Sequence, residues 1–178
     1  MMSPLEIRPA LAADIPYLVR LDHTVESTHV WRLEWSHGET LGARFRPAPL
    51  PRPVILPYPY APEAFLEDWR RLPALWVALQ DGRPVGYATL RWSPAPDVAW
   101  LSDLVVDSPY RRQGIGRALL LHVLHWAAQQ GYRRLVWAAS FRNHPAVSLA
   151  FRVHLHFVGF QQAFFPNGDT ALFLGRDV

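Results

Sequence analysis

The sequence predicts one mixed α/β domain, residues 1–178, in which helices cover a mixed and mostly antiparallel sheet. Three observations predict it. Asp81-Gly82 sits between two apolar runs, residues 74–79 and 85–90, which is a strong hairpin signal. Beyond it, residues 99–106 read as a strand, the stretch to Gln130 as a helix, residues 134–139 as a strand and residues 145–155 as a helix. No repeat and no interdomain linker interrupts a length of 178 residues, which suits a single core.

The elements follow in order. Residues 5–8 alternate apolar and polar, a short strand. Asp14 before Ile15-Pro16 reads as an N-cap, and the helix runs on through Tyr17, Leu18 and Leu21. In residues 25–41, Trp31, Leu33 and Trp35 alternate, so part of that stretch is expected as strand. Residues 42–62 are rich in proline: Pro47, Pro49, Pro51, Pro53, Pro57, Pro59 and Pro62 break any helix or central strand. They are expected to form an extended, inserted loop carrying Tyr58 and Tyr60. Pro62-Glu63 then opens a short helix through Phe65, Leu66 and Trp69. Ile115, Leu119, Val123 and Trp126 recur on one face of the later helix, and Gly131 is its expected stop. Residues 157–160 and 170–174 close the chain as strands.

Composition removes several classes of function. Half of the residues are hydrophobic and 19% are charged, a globular balance. No apolar run approaches the ~18 residues of a membrane span, and Met1 to Glu6 lack the basic and apolar regions of a signal peptide. A cytoplasmic protein without membrane contact is the expectation. There is no cysteine, which excludes disulfides, thiolate catalysis and thiolate zinc sites. The net charge is +3 and the isoelectric point about 9.7. Every basic residue is arginine, so a Schiff-base or P-loop lysine is excluded, while a planar fork suited to phosphate is abundant. No arginine run resembles a nucleic-acid-binding arm. His122 and His125 are spaced for one helix face, but no nearby carboxylate completes a metal site, and no metal is expected.

The chemistry concentrates after the strand at 99–106. Asp107-Ser108-Pro109-Tyr110 leads into Arg111-Arg112-Gln113-Gly114-Ile115-Gly116, and a helix starts at once. Glycines admit a ligand close to the backbone, and N–H groups at a helix start have no internal partner. The helix dipole and Arg111, Arg112 and Arg117 add positive charge. The pattern is not a dinucleotide fingerprint, because Leu119 stands where its third glycine belongs, and it is not a Walker loop, which needs lysine.

Arg111-x-x-Gly114-x-Gly116, with Leu104-Val105-Val106 before it and Asn143 after it, resembles the signature of the GNAT N-acetyltransferases. Ile7-Arg8-Pro9-Ala10 is similar to a frequent opening of such chains. The resemblance implies a twisted sheet with helices on both faces and acetyl-CoA as co-substrate. It implies that the backbone of Leu104, Val105 and Val106 pairs with the pantetheine arm and polarises the thioester. Arg111, Arg112, Gln113, Gly114, Ile115, Gly116 and Arg117 would hold the pyrophosphate. Asn143 would help orient the cofactor or the substrate, and Phe151 and Arg152 would touch the far end of CoA.

The usual acid and base of the family are missing. The tyrosine acid falls at Ala150, and the two alternative glutamate bases fall at Ala138 and Trp100. Asp103, in an otherwise apolar strand, is either the base, acting directly or through water, or a structural partner of an arginine. His144 is a weaker candidate. Trp31, Trp35, Tyr58 and Tyr60 are the candidates for an acceptor pocket, with Glu26, Glu34 and Glu39 nearby to attract a cation. Val30-Trp31-Arg32-Leu33 and the closing strands resemble the streptothricin acetyltransferase branch, which implies a small cationic amine as acceptor. A protein N-terminus or lysine, and a non-catalytic acyl-CoA-binding module, are the competing expectations. The chain is expected as a monomer or homodimer.

Overall fold

The computed structural model describes residues 4–36, 38, 42–63 and 68–178. Among them the chain forms nine strands and three α-helices. In chain order these are β1 (Glu6–Pro9), α1 (Ile15–Arg20), β2 (Val25–Ser36), β3 (Gly42–Leu56), β4 (Ala74–Gln80), β5 (Arg83–Arg91) and β6 (Val98–Val106), then α2 (Ile115–Gln129), β7 (Arg134–Ser140), α3 (His144–Arg152), β8 (His156–Gln161) and β9 (Ala171–Asp177). Seven strands make one sheet in the order β1-β4-β5-β6-β7-β9-β8, and β2 and β3 pair separately. Among the described residues only β6 and β7 are parallel.

Both sheet faces are covered, which explains why β4 reads as an unbroken apolar run. Its alternate residues Leu75, Val77 and Leu79 pack toward Ile15 and Leu18 of α1. Trp76 and Ala78 point the other way, into the larger core with Leu119, Leu120 and Val123 of α2. The β4–β5 turn is as expected: Asp81 and Gly82 both have positive φ, at 52° and 72°. Gly131, at φ 81°, follows the Gln130 C-cap of α2.

Two expectations change. The proline-rich segment is not a loop over its first part; Gly42–Leu56 is a strand paired along β2. Pro47 and Pro49 stand opposite Trp31 and His29, two positions apart, so their missing N–H groups lie on the side away from β2, and Pro51 and Pro53 fall in the irregular stretch where the register shifts between His29↔Pro49 and Ser27↔Val54. Proline is excluded from central strands, but this strand is an edge. Trp31, opposite Pro47, correspondingly sends its N–H away from β3 to the Phe141 carbonyl at 2.9 Å, which ties the hairpin to the domain. Asp14 sits at the N-cap but makes no side-chain cap. Its carboxylate instead takes two hydrogen bonds from Arg8, at 2.7 and 3.0 Å, and one from the Leu11 N–H. The expected helix at 62–69 falls largely outside the described residues, as do Phe65 and Leu66; Trp69–Arg71 is a single 3₁₀ turn.

Candidate active site

The site begins where two parallel strands part. β6 pairs with β7 from Val98↔Arg134 to Leu101↔Trp137, and there the ladder ends. On its other side β6 stays paired with β5 as far as Val106↔Gly86. From Ser102 to Val106, therefore, one edge of β6 has no strand beside it. Leu104, Val105 and Val106 line a cleft of about 810 Å³ opened by this divergence, with Trp137, Ala138 and Ala139 of β7 opposite. An open strand edge offers a row of backbone donors and acceptors to an extended ligand.

At one end of the cleft, α2 begins at Gly114, whose φ of 87° is left-handed. No side chain caps this helix, so its first N–H groups are left without an intrahelical partner beside the cleft. Arg112, Gly114, Ile115, Gly116 and Arg117 line it there, and Arg152 reaches it from the end of α3. Arg112 holds a positive φ of 65°, a conformation that costs a non-glycine residue about 1 kcal/mol. Gly116 faces the opposite wall: a Cβ there would meet Leu149 at 3.3 Å and Leu104 at 3.5 Å. These are the features a pyrophosphate and a pantetheine arm require, so the residues present fit acetyl-CoA.

Several side chains differ from expectation. Arg111 lines the cleft but turns its guanidinium inward: Nε donates to the Val106 carbonyl at 2.7 Å and one terminal nitrogen to the Asp22 carbonyl at 2.5 Å. It clamps the loop to β6 and to the segment after α1. Gln113 is exposed and caps the Pro109 carbonyl at 3.1 Å, away from the cleft. Asn143 lines the cleft, yet its side-chain oxygen is committed to capping α3 through the Ala146 N–H. Phe151 does not line the cleft. It lies one position before Arg152, about 100° around the helix, and packs edge-on to Trp31 in a separate apolar cavity of about 260 Å³. Trp31 is thereby removed from the acceptor pocket too. Trp35, half exposed, packs on Phe160 and is also elsewhere. The hairpin runs past the sheet edge and delivers its tryptophans to β8 and α3 rather than to the cleft. Glu34 pairs with Arg46 in the same hairpin, and Glu39 lies outside the described residues.

Tyr58 and Tyr60 do line the cleft, with Glu26 and Thr28 of β2. Asp103 is 3% exposed and carries no arginine partner among the described residues. Instead it accepts hydrogen bonds from the hydroxyls of Tyr58, Thr89 and Ser102, the last at 2.6 Å. A register shift explains its orientation. Thr89 pairs with Asp103 but Leu90 pairs with Leu101, so Ser102 is an extra residue in β6. Ala99 and Leu101 face the core under α2; past the bulge, Asp103 faces the α1 side beside Tyr87 and Val105.

The sequence alone did not single out His23, Tyr87, Thr89, Ser102 or Asp169. His23 touches the Tyr87 hydroxyl through Nε2 at 3.0 Å and the Leu21 carbonyl through Nδ1 at 2.6 Å. Burial holds its pKa below the ordinary imidazole value. Burial, with the Asp103 charge adding to it, pushes both Tyr58 and Tyr87 well above the phenol range. Asp169, in the loop before β9, lines the cleft with Phe165 and Asn167 and is held by Ser140 at 2.7 Å and Arg142 at 3.7 Å. His144 stacks against His29 at 4.6 Å; burial and that neighbour lower its pKa.

The comparisons with known proteins agree with this geometry. The model of the acetyltransferase (GNAT) family matches residues 43–155, well over half of the chain. No curated protein sequence matches. Among solved structures, the fold is similar to nourseothricin acetyltransferase, at 22% identity and a TM-score of 0.82, covering 98% of this chain and 99% of that one. It is similar also to a putative streptothricin acetyltransferase from Bacillus anthracis str. Ames in complex with acetyl coenzyme A, at 16% identity and a TM-score of 0.75 with 98% of each chain covered. A third is Ard1 from Thermoplasma volcanium, at 18% identity and 0.71, with 99% of each covered. The parted parallel strands, the uncapped glycine-led helix and the family match identify the chain as a member of the GNAT acetyltransferases, an enzyme that uses acetyl-CoA as co-substrate for N-acetylation.

Proposed function

We propose that this enzyme acetylates a small cationic primary amine by direct attack on the thioester, with Asp103 as general base. The observation that carries the reading is a division of charge around one cleft. The arginines come from the α2 loop and α3, whereas the carboxylates Glu26, Asp103 and Asp169 come from β2, β6 and the loop before β9. The aromatic rings of Tyr58, Tyr60 and Phe165 lie among those carboxylates. Carboxylates with aromatic faces suit an ammonium group. The names of two structural neighbours, nourseothricin and streptothricin acetyltransferase, point toward the same class of acceptor.

An ammonium must lose a proton before it attacks. Asp103 offers a carboxylate whose orientation is set by three hydroxyl donors, next to the open edge of β6. Arg112, Arg117 and the start of α2 hold the pyrophosphate, and the free edge at Leu104 and Val105 aligns the acyl arm. Fixing amine and thioester side by side supplies much of the acceleration. Ala150 is fully buried in the core, so the family's usual tyrosine acid has no counterpart on α3.

A thiol-release assay with acetyl-CoA and a panel of amines tests the reading. Dicationic small amines are expected to turn over faster than peptide N-termini or peptidyl lysine. Asp103→Asn is expected to lower kcat by about 10²- to 10⁴-fold. Full activity in that variant removes Asp103 as base. Preference for peptides would replace the acceptor assignment, and tight CoA binding without turnover of any amine would replace catalysis by a binding role.

A further inference from the structure

Ala150 gives α3 no hydroxyl at the family's usual place, but the helix carries one two positions earlier, at Ser148. His144, Ser148 and Arg152 follow at four-residue steps, so they form one stripe along α3. All three line the cleft. The later part of α3 faces the start of α2, where a Cβ on Gly116 would meet Leu149 at 3.3 Å. The start of α3 lies against β2: the His144 N–H reaches Ser27 Oγ at 3.4 Å, and the His144 and His29 rings are 4.6 Å apart. Ser148 sits between, about one turn from His144 and one from Arg152.

Several hydroxyls on the cleft have their hydrogen committed. Thr24 donates to Asp22, Tyr58 and Ser102 donate to Asp103, and Ser140 donates to Asp169. An ionised carboxylate only accepts, so these hydrogens are held. Ser148 differs. Among the described residues its hydroxyl makes one hydrogen bond, with His144 Nε2 at 3.3 Å, and a ring nitrogen can be the donor. Nδ1 of the same ring decides that it is. Nδ1 is buried and has no partner among the described residues. A hydrogen there would be a buried N–H without an acceptor, a rarer and costlier state than a bare lone pair. Trp31, whose ring lies 5.9 Å away, already holds one such buried N–H. Burial and the neighbouring His29 lower the His144 pKa, which keeps the ring neutral with a single hydrogen. That hydrogen sits on Nε2 and is donated to Ser148 Oγ, leaving the hydroxyl hydrogen free for the cleft.

We propose that Ser148 is the acid of the reaction, giving its hydroxyl hydrogen to the departing coenzyme A sulfur, and that His144 is the positioning residue that aims it. This rests on acetyl transfer to an amine, whichever group takes the first proton and whichever amine is the acceptor. A thioester held between the phosphate-binding end of the cleft and its carboxylate-lined end passes the middle of α3, where Ser148 stands.

The step balances within the site. The amine nitrogen bonds to the acyl carbon, and the C–S bond breaks with its electron pair going to sulfur. Sulfur takes the Oγ hydrogen. Oγ takes in exchange the hydrogen that the nitrogen sheds on becoming an amide. The serine is never left as an alkoxide, so its weak acidity is no obstacle. His144 keeps its hydrogen throughout and does not touch the reacting atoms.

The test compares Ser148→Ala, Ser148→Thr, His144→Phe and His144→Gln with the parent protein by kcat, by CoA affinity, by thermal melting and by ultraviolet titration of the CoA thiol on the protein. Ser148→Ala is expected to lower kcat about 10²-fold, with CoA affinity at neutral pH and melting temperature unchanged. A donor at sulfur favours the thiolate, so the bound thiol is expected to ionise about one pH unit higher in Ser148→Ala than in the parent. Ser148→Thr keeps the hydroxyl and stays close to the parent in both. His144→Gln keeps a donor and most of the rate, whereas His144→Phe lowers kcat about tenfold. Nitrogen-15 spectra of the free protein are expected to show the hydrogen on His144 Nε2 and a bare Nδ1. A parent-like rate in Ser148→Ala overturns the proposal. So does a slow Ser148→Ala whose bound thiol titrates as in the parent, because that serine is then structural only. A hydrogen found on Nδ1 overturns the role of His144. Full activity in Asp103→Asn removes the base proposed above and leaves Ser148 standing, so the two failures are told apart.

Discussion

Replacing Arg111 with methionine separates two roles that the signature loop combines. The residue type suggests a phosphate ligand, but its guanidinium is bonded to the Val106 and Asp22 carbonyls, with the Asp22 carboxylate 3.7 Å away. Hydrogen bonds from a charged donor contribute about 1.5–3 kcal/mol each. The side chain is 28% exposed, so both bonds are partly replaced by water when it is removed, and about 2 kcal/mol is expected for the pair. In a domain of this size that lowers the melting temperature by about 4–8 °C. The same clamp holds the end of β6 against the loop, so CoA affinity falls as well, in a manner that salt changes little. Denaturant unfolding and CoA titration at about 0.05 and 0.5 M salt measure both, since that range spans most of the screening of exposed charge. Unchanged stability with a loss of CoA affinity that vanishes at high salt would refute the clamp and restore Arg111 as a phosphate ligand.

Three further outcomes follow from named contacts. Gly114→Ala meets no neighbouring atom within 4 Å, so its effect is the left-handed backbone alone: about 1 kcal/mol of stability and a raised KM for acetyl-CoA, read by unfolding and steady-state kinetics. Asp169→Asn is expected to raise KM for a dicationic amine about fivefold, the equivalent of one exposed ion pair, with kcat and the KM for acetyl-CoA unchanged. Arg8→Gln removes the bidentate partner that holds the Asp14 carboxyl below the ordinary aspartate value of 3.8. A depressed carboxyl stabilises the fold above its unfolded pKa and loses that effect as pH falls through its folded pKa. The variant should therefore be about 1–2 kcal/mol less stable at neutral pH, with the difference closing below about pH 4 in acid unfolding.

The periodic elements were legible because single residues decide them. Asp81-Gly82 takes positive φ at both positions, and Gly131 stops α2, for reasons that need no tertiary partner. The glycine-led loop was legible for the same reason: a helix start after a strand exposes N–H groups whatever surrounds it. The hairpin was not. Pro47 to Pro53 look incompatible with a strand until the strand is known to lie at an edge, and edge position is a property of the whole fold. Trp31 and Trp35 were misplaced for that same reason, since their alternation is correct but the direction of the hairpin is not written in it. His23 and Tyr87 were invisible for a different reason. A histidine after a helix and a tyrosine in an apolar strand each have an ordinary structural role, and only the fold brings the two together.

Ser102 carries the deepest consequence of that kind. Strand side chains alternate, so Leu101 and Asp103 would share a face in a regular strand. That face is the core under α2, where an ionised carboxylate would have no hydroxyl partners and a large desolvation cost. The extra residue at Ser102 turns Asp103 onto the opposite face, opposite Thr89 and within reach of Tyr58. At the same point β6 and β7 part after Leu101, so the carboxylate emerges where the strand edge opens. One inserted residue thus sets three things together: the face Asp103 occupies, the hydroxyls that orient it, and its nearness to the open edge of β6. The helix-start end of the cleft is built by a local motif, and the end that holds Asp103 by a departure from strand regularity. That difference is why the first could be read from residues in sequence and the second required the register of the sheet.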